Sequence, residues 1–172
     1  ALFEQCAAQG WVLDGVVSQS LAQTRALWRL REDISETLWH WQPYKNDISV
    51  RVSKMSDFLA EVDQLVAARY PDFEIVWYGH IGDGNLHLNI LKPEDLPQTE
   101  FFERCGIVSL EIGELLARYG GSISAEHGVG LLKKSLLPYS RSPVEIALMR
   151  SIKKTFDPKS ILNPGKVFDA LV

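Results

Sequence analysis

The fold is decided by residues 78–89, which read YGHIGDGNLHLN and predict a β-hairpin. The Asp-Gly pair at positions 83 and 84 is a strong signal for a two-residue type I′ turn. With that turn, His80 lies directly opposite His87, and the Cβ atoms of directly opposed residues stand about 4.5–5.5 Å apart. With the turn shifted by one residue along the chain, His80 lies opposite Asn89 instead.

Either turn predicts the same division of side chains between the two faces of the sheet, because side chains alternate along a strand. His80, His87 and Asn89 share one face, and the aliphatic side chains of the same strands share the other. A three-residue loop would break this pattern. Two imidazoles at this spacing are suitable nitrogen ligands for a divalent metal. The alternative is a pair of sheet histidines that hydrogen-bond to carbonyl groups or to water.

A second motif, SAEHGVG at residues 124–130, places an acid and an imidazole beside flexible glycines. Glu126 could supply the oxygen ligand of a site with two histidines and one glutamate, which leaves a metal position open for a substrate. His127 would then be free to act as a general base, because the pKa of histidine lies near neutral pH. The alternative is a surface loop whose glutamate caps a helix.

Hydrophobic periodicity, helix caps and turn residues predict the remaining elements. The predicted strands lie at residues 11–17, 48–52, 73–81, 85–91 and 122–124. The predicted helices lie at residues 1–9, 20–40, 56–70, 98–119 and 143–156. This order predicts an α+β fold, broadly ferredoxin-like, in which helices cover an antiparallel sheet and further helices extend it at the termini.

The predicted helix at residues 20–40 carries an apolar stripe, with Arg31 at its margin and Ser35 one turn further along the same side. A forked guanidinium at the edge of an apolar surface suits a carboxylate ligand. Lys45, in the segment after this helix, could join it. The alternative is an arginine whose aliphatic stem covers the core while its charged end stays in water.

Composition excludes several classes of protein. The 172 residues are 46% hydrophobic and 23% charged, which excludes intrinsic disorder, collagen and a disulfide-stabilised miniprotein. A net charge of −4 argues against binding to nucleic acid or to an anionic membrane. No apolar run approaches the roughly 20 residues that a transmembrane helix needs.

The cysteines indicate the cellular compartment, and the first residue indicates whether the sequence is a piece of a longer protein. Cys6 and Cys105 show neither a CxxC motif nor metal-ligand spacing, so we interpret them as ordinary thiols of a reducing compartment. The chain begins within a predicted helix and not with methionine, so we expect it to be a piece of a longer protein.

Three segments in a fixed order carry a resemblance to a known family. They read GHIGDGNLHLN at residues 79–89, SAEHGVG at 124–130 and DPKSILNPGK at 157–166. The chain resembles, from about residue 27 to 167, the C-terminal substrate domain of FAD-linked 2-hydroxyacid dehydrogenases of the vanillyl-alcohol-oxidase type. The stretch LWRLREDIS, followed by YKNDISV, is most similar to the 2-hydroxyglutarate branch of this family.

The resemblance implies that residues 1–172 form a C-terminal substrate-binding domain whose FAD-binding domain lies elsewhere in the same polypeptide. The implied reaction oxidises a D-2-hydroxyacid, with D-2-hydroxyglutarate favoured, to the 2-oxoacid and transfers a hydride to FAD. D-lactate and glycolate dehydrogenases of the same family are alternatives. A metal- or ligand-binding module that is inactive when isolated, and a metal-dependent hydrolase, are further alternatives. An electron acceptor and a possible homodimer complete the implied partners, in the cytoplasm of a bacterium or the mitochondrion of a eukaryote.

The resemblance also implies roles for individual residues. The implied ligands of a divalent metal, usually zinc, are His80, His87 and Glu126. The implied substrate contacts are Arg31, Ser35, Lys45, Asn89 and His127. His127 is the implied catalytic base, and Ser35 retains the hydroxyl that the 2-hydroxyglutarate enzymes supply with threonine. The implied cofactor contacts in the tail are Asn163 and Lys166.

Overall fold

The computed structural model describes residues 1–169, which divide into two compact units, Ala1–His40 and the chain from Trp41 onward. The first unit contains the helices α1 (Leu2–Ala8), α2 (Leu21–Glu32) and α3 (Ile34–Leu38). Ser20 caps α2 as predicted, because its side chain accepts the backbone N–H of Gln23 at 3.2 Å. A 3₁₀ turn, Trp39–Trp41, follows α3.

Two predictions in the first unit are wrong. The predicted strand at residues 11–17 is irregular, because no strand among the described residues pairs with it and most of its apolar side chains are exposed. The predicted helix at residues 20–40 is divided at Asp33. This residue ends α2, accepts a hydrogen bond from Arg29 at 2.9 Å, and precedes α3.

The second unit is built on an antiparallel sheet of β1 (Tyr44–Ser49), β2 (Ile75–His80) and β3 (Asn85–Ile90), in the order β1-β3-β2. The predicted strand at 122–124 is reduced to one antiparallel bridge, in which Ser122 and Ser49 exchange backbone hydrogen bonds at 2.8 and 3.0 Å. This bridge lies on the free edge of β1, so the segments follow the βαββαβ order of a ferredoxin-like fold. The predicted α+β class is therefore confirmed.

The helices of the second unit are α4 (Met55–Arg69), α5 (Gln98–Tyr119) and α6 (Pro143–Phe156). Short 3₁₀ segments lie at Val52–Lys54 and Lys134–Tyr139. α5 ends where predicted, at Gly120, and α6 begins with a capping box in which Ser142 and Glu145 bond to each other's backbone N–H. One face of the sheet packs against α4 and α5 to form a core whose buried members include Ile48, Leu88, Phe58, Phe101 and Ile112.

Strands β2 and β3 are joined by four residues, 81–84, and not by the two that were predicted. His80 therefore lies opposite Asn85, and His87 lies opposite Tyr78, so both predicted registers are wrong. The predicted division between the faces is right, because a four-residue loop keeps the same parity as a two-residue loop.

Close packing against a neighbouring backbone explains the longer loop. Gly84 has a φ of 77°, and a Cβ there would collide with the carbonyl oxygen of Val50. Its own carbonyl oxygen accepts the backbone N–H of Val50 at 3.1 Å. Asp83 closes the turn, since its backbone N–H donates to the carbonyl of His80 at 3.3 Å. The Asp-Gly pair therefore serves tertiary packing here and not a two-residue turn.

Candidate functional site

The sheet face directed away from α4 and α5, called here the site face, carries the polar side chains of the hairpin. Strand alternation places His87 and Asn89 on it from β3, and their partners Asp47 and Lys45 from β1. Asp47, His87 and Asn89 are all buried. Buried polar groups need partners, so each polar side chain on this face must be matched to a donor or an acceptor.

Asp47 anchors the site loop, residues 124–130, over the sheet. Its Oδ2 accepts the backbone N–H of Glu126 at 2.9 Å and that of His127 at 2.8 Å. Its carbonyl oxygen accepts the backbone N–H of Ala125 at 3.2 Å. Gly128, with a φ of 80°, allows the loop to turn back immediately afterwards. The predicted acid–imidazole pair is thereby held against β1 by three hydrogen bonds.

Side chains from β3 and from the site loop converge on Asp47. The Nδ1 atom of His87 lies 3.4 Å from Oδ1 of Asp47, and its Nε2 atom lies 3.2 Å from Oε1 of Glu126. The Nδ1 atom of His127 lies 3.7 Å from Oδ2 of Asp47. One ligand atom from each of these four residues lies within 4.8 Å of the other three. Such a cluster of imidazole nitrogens and carboxylate oxygens has the donor set of a divalent metal site.

Exposure differs within this cluster. The side chain of Asp47 is 1% exposed, whereas those of Glu126 and His127 are 50% and 52% exposed. The buried members can therefore fix the geometry, while the exposed members remain accessible to a ligand from solution.

His80 lies beside the cluster. Its ring stands perpendicular to that of His87, with the centroids 5.5 Å apart, and its Nδ1 lies 3.4 Å from Nδ2 of Asn85. It is not one of the four residues whose ligand atoms converge. Its role as a metal ligand stays a prediction, as do those of His87 and Glu126.

Asp47 is not among the site residues that were predicted from the sequence. A usable signal was present in the segment YKNDISV, where strand alternation puts Asp47 on the face opposite to the core residue Ile48. An acid within a strand whose neighbours are buried needs a specific partner, and the partners are the site loop and His87.

The electrostatic environment favours a neutral imidazole and an ionised carboxylate. Burial lowers the pKa of His87 below its ordinary value, against the opposing charges of Asp47 and Glu126. Burial alone would raise the pKa of Asp47, but backbone hydrogen bonds from Glu126 and His127 and the charges of His127 and Lys133 bring it below its usual value. At neutral pH these are the protonation states that metal binding requires.

Comparison with known proteins identifies the family. The sequence model of the family described as "FAD linked oxidases, C-terminal domain" matches residues 1–167. The chain belongs to this family. The resemblance drawn from the three sequence segments is therefore confirmed. Among residues 1–169, no helix is both long and apolar enough to cross a membrane.

Several relatives of this FAD-linked oxidase domain are named D-2-hydroxyglutarate dehydrogenase. A D-2-hydroxyglutarate dehydrogenase of Stutzerimonas stutzeri is 61% identical over 170 residues, which are 99% of the chain and 37% of that relative. A D-2-hydroxyglutarate dehydrogenase of Xanthomonas citri pv. viticola is 57% identical over 169 residues, 98% of the chain and 36% of the relative. The mitochondrial D-2-hydroxyglutarate dehydrogenase of Danio rerio is 40% identical over 164 residues, 95% of the chain and 30% of the relative. The chain thus spans about a third of the length of these relatives.

The predicted substrate contacts fall in both units of this FAD-linked oxidase domain. Lys45 is half-buried and lies opposite Asn89 on the site face. The Nδ2 atom of Asn89 donates to the carbonyl oxygen of His87 at 3.3 Å, while its Oδ1 is buried without a hydrogen-bond partner among the described residues. Arg31 lies in α2 and Ser35 in α3, both exposed within the first unit, and their substrate roles stay predictions.

The tail that carries the predicted cofactor contacts is fixed by a second buried carboxylate. Asp157 accepts the backbone N–H groups of Ile161 and Leu162, both at 2.9 Å, and the ammonium of Lys153 at 2.6 Å. Asn163 and Lys166 follow this turn and are exposed. Their role as cofactor contacts stays a prediction.

The tail is also joined to the site loop. The backbone N–H of Val167 donates to the carbonyl oxygen of Gly130 at 2.8 Å. A backbone hydrogen bond therefore joins the segment with the predicted cofactor contacts to the segment with the predicted base.

Proposed function

We propose that this chain is the substrate- and metal-binding domain of an FAD-dependent D-2-hydroxyacid dehydrogenase, and that D-2-hydroxyglutarate is its substrate. The observation that carries the proposal is the convergence of Asp47, His87, Glu126 and His127 within 4.8 Å on one sheet face. Membership of the FAD-linked oxidase family and relatives named D-2-hydroxyglutarate dehydrogenase at 57–61% identity support this choice of reaction and substrate.

The residues present fit a divalent metal, and zinc is proposed from its preference for imidazole and carboxylate ligands. His87 Nε2 and Glu126 Oε1 lie 3.2 Å apart, close enough for both atoms to bind one cation after small adjustments. His80, whose ring contacts that of His87, is the proposed third ligand. A bound divalent cation would polarise the 2-hydroxyl group of the substrate and lower its pKa.

His127 is the proposed general base. Its backbone is held by Asp47 and its Nδ1 faces that carboxylate at 3.7 Å, so Nε2 is the nitrogen available to accept the hydroxyl proton. Half of its side chain is exposed, which allows a substrate to reach it. The overall reaction would remove this proton and a hydride from C2, giving the 2-oxoacid and two-electron reduced FAD, which an electron acceptor then reoxidises.

Lys45 and Asn89 are proposed to orient the substrate from the site face. Lys45 brings a positive charge next to Asn89, whose buried Oδ1 still has capacity to accept a hydrogen bond. Arg31 and Ser35 are proposed further contacts for a substrate carboxylate, since guanidinium and hydroxyl groups both bind this group well. Asn163 and Lys166 are proposed contacts for FAD.

We further propose that the FAD-binding domain lies elsewhere in the same polypeptide, in agreement with relatives about three times the length of the chain. The isolated chain would then bind metal without turning over substrate, and it would be colourless, because flavin absorbs near roughly 450 nm. The proposed location is the cytoplasm in a bacterium and the mitochondrion in a eukaryote. A homodimer is proposed as the assembly.

The deciding experiment measures turnover by the full-length protein with an artificial electron acceptor, for D-2-hydroxyglutarate, D-lactate and glycolate, before and after removal of metal by a chelator. We expect the highest kcat/KM with D-2-hydroxyglutarate and loss of turnover after chelation. His127→Ala should lower kcat by about 10²–10⁴-fold, the usual value of general-base assistance.

His87→Ala should lose both metal and turnover, and His40→Ala is the matched histidine control outside the cluster. Full metal occupancy with unchanged turnover in His87→Ala would refute the proposed site. A preference for D-lactate or glycolate would refute the proposed substrate alone and leave the site intact.

A further inference from the structure

The two carboxylate oxygens of Asp47 have different partners. Oδ2 accepts two backbone N–H groups, from Glu126 at 2.9 Å and from His127 at 2.8 Å. Oδ1 is buried and has no completed hydrogen bond among the described residues, but it lies 3.4 Å from Nδ1 of His87. A buried carboxylate oxygen requires a donor, so the adjacent ring nitrogen is expected to carry a proton.

The ring of His87 is confined on both sides. It stacks with the ring of His127 at a centroid distance of 5.6 Å and lies 4.9 Å from the ring of Tyr78. A neutral imidazole has one N–H, and which nitrogen carries it is set by the group that the ring bonds to. With the proton on Nδ1, the lone pair is on Nε2, the nitrogen that lies 3.2 Å from Glu126.

We propose that Asp47 is a positioning residue that selects the Nδ1–H form of His87 and thereby presents Nε2 to the metal. Its other oxygen at the same time fixes the backbone of Glu126 and His127, so one buried side chain aligns three members of the site. This inference deepens the proposed function and rests on it for the metal, but not for the position of the proton in the metal-free chain. Carboxylate groups that orient a metal-bound imidazole commonly change metal affinity by 10–100-fold.

Asparagine at position 47 separates the two roles of the carboxylate, which are to anchor the site loop and to orient the ring of His87. It has the same shape as aspartate, and its amide oxygen can still accept the two backbone N–H groups of the site loop. Its NH₂ group then takes the place of Oδ1 and donates to Nδ1 of His87. This forces the imidazole proton onto Nε2, which removes the lone pair from the nitrogen that faces Glu126.

The test compares the 172-residue chain with Asp47→Asn and with Asp157→Asn. The second variant is a matched control, because Asp157 is also buried and also accepts two backbone N–H groups, both at 2.9 Å. Long-range ¹H–¹⁵N NMR spectra of the metal-free proteins report which nitrogen of His87 is protonated. Competition with a chelating dye gives the affinity for zinc alone.

We expect an Nδ1–H imidazole in the unsubstituted chain and in Asp157→Asn, and an Nε2–H imidazole in Asp47→Asn. We expect zinc affinity to fall by about 10–100-fold in Asp47→Asn and to be unchanged in the control. Retention of both the Nδ1–H form and the zinc affinity in Asp47→Asn would overturn the inference.

Two results separate this inference from the proposed function. If the unsubstituted chain binds no zinc, the proposed metal site fails, while the NMR spectra still decide the role of Asp47. If Asp47→Asn does not fold, the spectrum of the unsubstituted chain decides, because an Nε2–H form there would overturn the inference by itself.

Discussion

Replacement of Gly84 by alanine tests the packing that sets the hairpin register. The residue has a φ of 77°, which costs a non-glycine residue about 1–2 kcal/mol. The new methyl group would also collide with the carbonyl oxygen of Val50 and displace a backbone hydrogen bond between the two residues, at a further cost of about 2–3 kcal/mol. We expect Gly84→Ala to lower the free energy of unfolding by about 3–5 kcal/mol and the midpoint temperature by roughly 10 °C.

Gly82 provides a matched control in the same loop. An added Cβ there meets no atom within 4 Å, and its φ is not in the left-handed region. We expect Gly82→Ala to change stability by less than about 0.5 kcal/mol. Thermal and urea unfolding, followed by circular dichroism, measure both variants. Equal stability of the two variants would refute the argument that Val50 determines the conformation of this loop.

Three further predictions concern the rest of the chain. Burial raises the pKa of the Cys105 thiol to about 11, so iodoacetamide at pH 8 should label Cys6 and leave Cys105 unmodified in the folded protein; labelling of both would contradict this. The hydrogen bond from Lys153 holds the pKa of Asp157 below its usual value. This carboxylate therefore stabilises the fold above its unfolded pKa of about 4, and the contribution is lost as the pH falls through the folded pKa. Asp157→Asn should accordingly make the free energy of unfolding, measured with urea, depend less on pH in the acidic range. Phe58→Ala should destabilise the fold by about 3–5 kcal/mol, because the ring is fully buried, whereas Phe156→Ala, at an 80% exposed position, should have little effect in the same assay.

Local signals predicted the helices best. α5 and α6 have the predicted bounds because their ends are set by neighbouring residues: Gly120 in a left-handed conformation, and Ser142 with Glu145 in a capping box. Strand alternation likewise predicted the shared face of His80, His87 and Asn89. These features depend on residues close in sequence, so a single sequence contains the information for them.

Features that depend on distant residues were not predictable in the same way. The register of the hairpin depends on Val50, and the sequence shows no sign of that contact. The segment at residues 11–17 has the composition of a strand, but a strand also requires a partner. Strand alternation could have placed Asp47 on the site face, but its partners, Glu126 and His127, lie about eighty residues further along the chain and could not be predicted.

The hydrogen bond between Val167 and Gly130 has a consequence for how the domain would respond to its ligands. Because this bond joins Val167 to the site loop that bears His127, a shift of either segment would strain the other. Under the proposed role of His127 as the base, shortening the protein just before Val167 should therefore slow proton abstraction even where FAD remains fully bound. In that proposal, Val167 would act as a tether that keeps His127 in place.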